Sequence, residues 1–314
     1  MNAIHGVKGV FGGNFSGGCM LNWQSKILAS VVAAFLVAIG TASAGAASDA
    51  RGGAMVKSAY AQVDDIRIYY EMRGAGEPII MLHGAYGTTG TWAPCAAILA
   101  QHFLVITLDL RGRGRTGDGD GPISAGRTAR DVIGLMDHLG LRQAHVVGHS
   151  AGSITAVSML IDYPDRVRSA TLVGNPLMAL RVPNDAMRKL QRDMESLRDG
   201  LPVVSDPDLA RFAEQLRKTA PDPNRIPIVM GKLRRIGAVY AEDALATITR
   251  PVLVSKAGRD ALIPPESFDR LAAAIPGSTL IDFPNGTHGL PRQEASRLAV
   301  EIQNFIDARQ SVTK

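Results

Sequence analysis

Val146–Ser153 reads VVGHSAGS. An apolar run leads into it, Gly148 and Gly152 bracket Ser150, and AGSITAVSMLI leads out with a helical look. Gly148-His149-Ser150-Ala151-Gly152 fits G-x-S-x-G, and a strand before it with a helix after it predicts a sharp strand-to-helix turn. Side chains at the two glycine positions would collide with neighbouring backbone. Glycine there leaves the serine hydroxyl exposed above the sheet. A helix that starts at the serine also aims unpaired N–H groups at any negative charge forming beside it.

The stretches around this turn read as alternating strands and helices. PIIMLHG and LVITLDL are short continuous apolar runs, the signature of buried parallel strands. SAYAQV and IRIYYEMRG alternate in polarity, with VDDI between them as a hairpin turn. Trp92 to His102 reads as a helix, and so does Ser124 to Leu139, where Val132, Leu135, Met136 and Leu139 share one face. RGRGRTGDGDGP is loop, and SATLVGN is one more strand. This order predicts an α/β fold with a mostly parallel sheet covered on both faces. The alternation stops near Pro176. Residues 177–250 hold amphipathic helical stretches instead, with Met187, Leu190, Met194 and Leu197 on one face. They are expected to form a helical cap, inserted between core segments 55–176 and 251–314. The second segment resumes with the strand PVLVSKAG, a helix around Phe268 to Ala274, the strand STLIDF and a closing helix from about Glu294 to Ala308.

A chain of 314 residues, 46% hydrophobic, buries a large core without help from disulfides or metals. The net charge of +5 is scattered, and no basic run carries interleaved aromatics, so no nucleic-acid partner is expected. Residues 1–47 form a separate unit in this reading. Lys26 precedes an apolar stretch from Ile27 to Ile39, and Ala42-Ser43-Ala44 or Ala44-Gly45-Ala46 supplies a cleavage-like end. These parts predict a signal peptide with its start at Met20, and export to the periplasm or medium. The stretch falls short of the roughly 20 residues a membrane span needs, which leaves an uncleaved anchor as the alternative. Loss of the leader removes Cys19 and leaves Cys95 without an internal disulfide partner.

A serine hydroxyl attacks only when a base takes its proton. Of the seven histidines, His5 lies in the leader, while His102 and His138 fall in helices. His145 opens a strand, and His149 sits inside the turn, pointing away from the serine. His288, in the glycine-rich loop FPNGTHGLP after the last strand, has the position a mobile general base requires. A carboxylate must orient that base, and Asp260 in VLVSKAGRDALIP follows a buried strand. The preceding strand ends in Asn175 and offers no acid. Asp109 precedes the serine and is read, with Arg111, as an organiser of its loop. Two N–H donors are needed for an oxyanion: that of Ala151, and one from LHGAYGTTGTW, where Ala85 is the first choice and Tyr86 the second. His83 is read as a scaffold residue of that loop.

LHGAYG, DLRGRGRT, GHSAGS, GRDALIP and GTHG occur in this order from about Tyr60 to the C-terminus. Together they resemble the α/β-hydrolase superfamily, in its branch with a helical cap. The resemblance implies an eight-stranded sheet with one antiparallel strand, a catalytic set of Ser150, Asp260 and His288, and neither cofactor nor metal. It implies hydrolysis of a small ester, lactone or related acyl compound. Carbon–carbon bond hydrolysis and cofactor-free peroxidase activity use the same three residues in similar proteins. A reading of another class is a non-catalytic receptor for a small molecule. Aspartate-nucleophile members of the fold are excluded by Ser150, and His83-Gly84-Ala85-Tyr86 replaces the HGGG loop of many lipases. The cap would set substrate choice, with Met178, Met187, Met194 and Met230 on its apolar side.

Overall fold

A computed structural model describes residues 55–85, 87–178 and 242–310, with isolated positions between 185 and 240. The expected leader over 1–47, Tyr86 and most of the expected cap, including Met187, Met194 and Met230, lie outside the described residues. No helix among the described residues is long and apolar enough to cross a membrane.

Eight strands form one sheet: β1 (Lys57–Val63), β2 (Ile66–Arg73), β3 (Pro78–Leu82), β4 (Leu104–Leu108), β5 (Ala144–His149), β6 (Val167–Val173), β7 (Val252–Ala257) and β8 (Thr279–Phe283). Their order is β1-β2-β4-β3-β5-β6-β7-β8. β2 runs antiparallel to both neighbours, and every other pairing is parallel. The expected single antiparallel strand is therefore β2. The continuous apolar runs have their physical reason here: β5 is buried at all six positions, and β3 and β4 at all but their first. Their side chains alternate between two apolar layers, Ile80, Leu82 and Val146 facing one and Ile79, Met81 and Val147 the other. Each such side chain contributes about 1.5–3 kcal/mol by leaving water.

The helices between strands cover both faces. α1 (Ala93–Leu99) and the closing α7 (Ala295–Gln310) pack on one side, while α2 (Ala125–His138), α3 (Ala151–Asp162) and α5 (Pro265–Ala274) pack on the other. α4 (Glu242–Ala246) and α6 (Leu290–Gln293) are short. Two helices differ from the sequence expectation. The helix expected over 92–102 runs only from Ala93 to Leu99, with Pro94 in its first turn, behind a separate 3-10 turn at Thr89–Thr91. The last helix is preceded by the separate turn α6. At the ends of the expected cap, Leu177, Met178, Leu245 and Ile248 are buried in the apolar layer of the sheet.

This topology fixes where a ligand can enter. From β3 the chain moves outward to β4, then crosses back to place β5 on the other side of β3. Loops leaving β3 and β5 therefore part in opposite directions at their carboxyl ends, which opens a crevice there.

Candidate active site

Ser150 stands at that crevice, on the turn between β5 and α3. Its backbone has φ 52° and ψ −120°, and Asp64 is the only other non-glycine residue with positive φ among the described residues. Such a conformation costs about 1–3 kcal/mol and persists only where the surroundings enforce it. They do so through close approach. A Cβ on Gly148 would lie 2.6 Å from the Ser153 Cα, and one on Gly152 would lie 2.5 Å from the His83 carbonyl oxygen. Both glycines are required for space, as the sequence predicted. The Ser150 N–H donates to the Val173 carbonyl at 2.9 Å, which ties the turn to β6.

Asp260 and His288 arrive from the ends of β7 and β8. The Asp260 side chain is fully buried. Its Oδ1 accepts from the Leu262 and Ile263 N–H groups at 2.9 and 3.0 Å, which leaves Oδ2 for His288 Nδ1 at 2.8 Å. A carboxylate only accepts, so Nδ1 carries the hydrogen and Nε2 presents its lone pair. Nε2 lies 3.1 Å from Ser150 Oγ. The His288 ring keeps a quarter of its surface exposed, as a base that must meet substrate requires. The three residues singled out from the sequence are thus one hydrogen-bonded chain.

The loop after β3 closes against this turn. A Cβ on Gly84 would stand 3.2 Å from Ser150 Cβ, tighter than an ordinary contact, so the backbone here passes close beside the serine. The Gly87 N–H donates to the Gly84 carbonyl at 3.1 Å and bends the loop around Ala85. Ala151, the first residue of α3, has an N–H that belongs to the set no helix can satisfy internally. His83 is the scaffold residue expected. Its Nδ1–H donates to the Gly84 carbonyl at 2.7 Å and its Nε2 accepts from the Leu110 N–H at 3.0 Å. Burial, joined by the charge of Arg113, lowers its pKa to about 3, so the ring is neutral as this pattern requires.

His149, inside the turn, does more than fill space. Its Nε2 lies 2.8 Å from the backbone carbonyl of His288, and its ring centroid is 5.0 Å from that of His288. Burial, with the nearby His288 ring, pulls its pKa down to about 3. The sequence carried no sign of this contact, because the partners are 139 positions apart.

The loop after β4 is held by charge pairs within it and to its neighbours. Asp109 accepts from the Thr89 N–H at 2.7 Å and from Arg115 Nε at 2.8 Å. Arg111 does not pair with it. Its fully buried guanidinium grips Asp131 through Nε at 2.7 Å and a terminal nitrogen at 2.6 Å, and also binds Asp65 at 2.9 Å. Lys232, one of the described positions of the expected cap, binds Asp118 of this loop at 2.6 Å. No cluster of potential metal ligands occurs among the described residues.

A sequence profile described as alpha/beta hydrolase fold matches residues 77–209. A protein of Azorhizobium caulinodans that carries the name carbamate hydrolase RutD is 32% identical over 248 residues, 73% of this chain and 91% of its own length. Two solved structures share the fold. Est816, described as an N-acyl homoserine lactone degrading enzyme, superposes with a TM-score of 0.64 at 24% identity, over 79% of this chain and 100% of its own. The enol-lactonase of Burkholderia xenovorans LB400 does so with a TM-score of 0.62 at 22% identity, over the same shares.

Proposed function

The chain belongs to the α/β-hydrolase family, and on that premise we propose that it is a serine hydrolase cleaving small esters, lactones or related acyl compounds through an acyl-enzyme on Ser150. One observation carries this reading: the unbroken chain Ser150 Oγ, His288 Nε2, His288 Nδ1, Asp260 Oδ2, at 3.1 and 2.8 Å, hung from a strained turn.

The chemistry follows from the proton inventory. His288 Nε2 takes the Ser150 proton as Oγ bonds to the carbonyl carbon. The carbonyl π pair moves onto oxygen, where the N–H groups of Ala85 and Ala151 receive it. Asp260 stabilises the imidazolium without taking its proton. Collapse breaks the bond to the leaving group, which departs with the proton from Nε2. Water then repeats the sequence on the acyl-enzyme, His288 acting as base, and releases the acid and free Ser150. The names of the related proteins supply a substrate class consistent with this: a carbamate, a homoserine lactone and an enol-lactone each present an acyl carbon bonded to an oxygen or nitrogen leaving group.

The test is turnover of p-nitrophenyl esters of graded chain length and of five- and six-membered lactones, beside a Ser150→Ala variant. The expected result is hydrolysis by the wild type that falls about 10⁶-fold in kcat in the variant. Turnover that survives the substitution, or a folded wild type inert to every acyl compound, contradicts the reading. The inert outcome favours a small-molecule receptor.

A further inference from the structure

We propose that His149 is a positioning residue that clamps His288 through its backbone carbonyl, holding the imidazole at attacking distance from Ser150. The inference rests on the reading of Ser150 and His288 as nucleophile and base, and it adds a component that this reading does not contain.

The geometry is a clamp from consecutive residues. His149 reaches the His288 carbonyl oxygen at 2.8 Å, while Ser150, the next residue, reaches the His288 ring at 3.1 Å. A carbonyl oxygen only accepts, so His149 Nε2 must carry the hydrogen. Asp260 holds the ring at Nδ1, a third point. Elsewhere the loop is fastened on either side of His288: the Arg259 N–H donates to the Gly286 carbonyl at 2.8 Å, and Gln293 accepts from the Thr287 N–H at 2.8 Å. At His288 itself, the bond from His149 is the backbone tether.

The surroundings leave the His149 ring little freedom. Trp92 meets it edge-on at 6.3 Å. Gly84 packs beside it, and a Cβ there would stand 3.1 Å from Nδ1, tighter than an ordinary contact. Neutrality matters as well as fit. When His288 holds the serine proton, a second charged imidazole with its centroid 5.0 Å away would oppose that state. The buried His149 ring stays neutral, so it can donate to the carbonyl without repelling the imidazolium.

Two measurements on the whole protein test this. The first follows phosphonylation of Ser150 by a fluorophosphonate at several concentrations, for wild type, His149→Phe and His149→Gln. Phenylalanine keeps a ring and loses the donor; glutamine keeps an N–H donor at about the reach of Nε2. The expected result is a maximal rate about 10²-fold lower in the phenylalanine variant at unchanged half-saturation, with most of the loss restored by glutamine. A folded phenylalanine variant that reacts at the wild-type rate overturns the proposal, as does equal loss in both variants. The second measurement needs no variant: ¹⁵N NMR of the wild-type imidazoles reads the His149 tautomer. The Nε2–H form is expected, and the Nδ1–H form overturns the clamp. A wild type that is not labelled at Ser150 at all refutes the proposed function instead, so the two failures are distinguishable.

Discussion

Two glycine-punctuated loops leave neighbouring parts of the sheet at the same edge, and they treat their polar groups in opposite ways. In the loop after β4, the left-handed positions are all glycines, Gly112, Gly114 and Gly119. Its charges are paired into the scaffold: Asp109 with Arg115 inside the loop, Arg111 with Asp65 of the β1–β2 turn and Asp131 of α2. In the turn after β5, the left-handed residue is the serine, and the glycines serve to make room. There the hydroxyl faces a base that stays partly exposed, and the first amide of α3 has no helical acceptor. A loop whose charges are tied to the surrounding scaffold is structural. A loop whose strain sits on a nucleophile, with donors left open, is prepared to act on something else.

The largest effect that sharpens this contrast is expected at Asp260. Asp260→Asn should leave the fold intact and lower kcat about 10⁴-fold, because the amide can donate to Nδ1 and stabilise the wrong tautomer. Steady-state turnover with the fastest acyl substrate checks it. In the other loop the balance reverses. Arg111→Met takes the close two-point partner from the buried Asp131 carboxylate and leaves it Arg127 at 3.7 Å, and urea unfolding should report a loss of about 3 kcal/mol. The molecules that remain folded should react with a fluorophosphonate at the wild-type rate. A large fall in that rate would erase the distinction between the loops.

How much of this was legible in the sequence depends on the distance between partners. The turn at Ser150 could be read because all its determinants lie within five residues, Gly148 to Gly152, flanked by runs of clear period. Asp260 and His288 could be read because each follows a strand, and strand ends meet at one edge of a parallel sheet. The clamp at His149 and the grip of Asp65 and Asp131 on Arg111 could not. Those contacts join positions 139, 46 and 20 apart, and the packing that sets them leaves no local pattern. The helix expected over 92–102 ends at Leu99, and the chain from Ala100 to Phe103 runs on in turn bonds that no sequence pattern separates from the helix.

Stability also depends on pH. His83 and His149 both titrate in the fold near 3, below the unfolded imidazole value of about 6.5. The unfolded chain therefore binds protons that the fold refuses, and stability falls as pH drops from about 6.5 towards 3. Each histidine should contribute a slope of about 1.4 kcal/mol per pH unit in that window. Unfolding midpoints from pH 7 to 4 measure the slope, and it should be shallower in His149→Gln. The smallest effect is at Asp65, whose carboxyl is held below its unfolded value by hydrogen bonding to Arg111, against the cost of burial. Its stabilisation is complete above the unfolded pKa and disappears as pH falls through the folded one. Asp65→Asn should thus cost about 1 kcal/mol at pH 7 and less in strong acid, read from the same unfolding curves.

The most direct test of the central claim is intact mass followed by peptide mapping after exposure to a fluorophosphonate, with Ser150→Ala as control. The account predicts one adduct, on Ser150, absent from the control. A folded wild type that gains no adduct, or one that carries it on another residue, contradicts it.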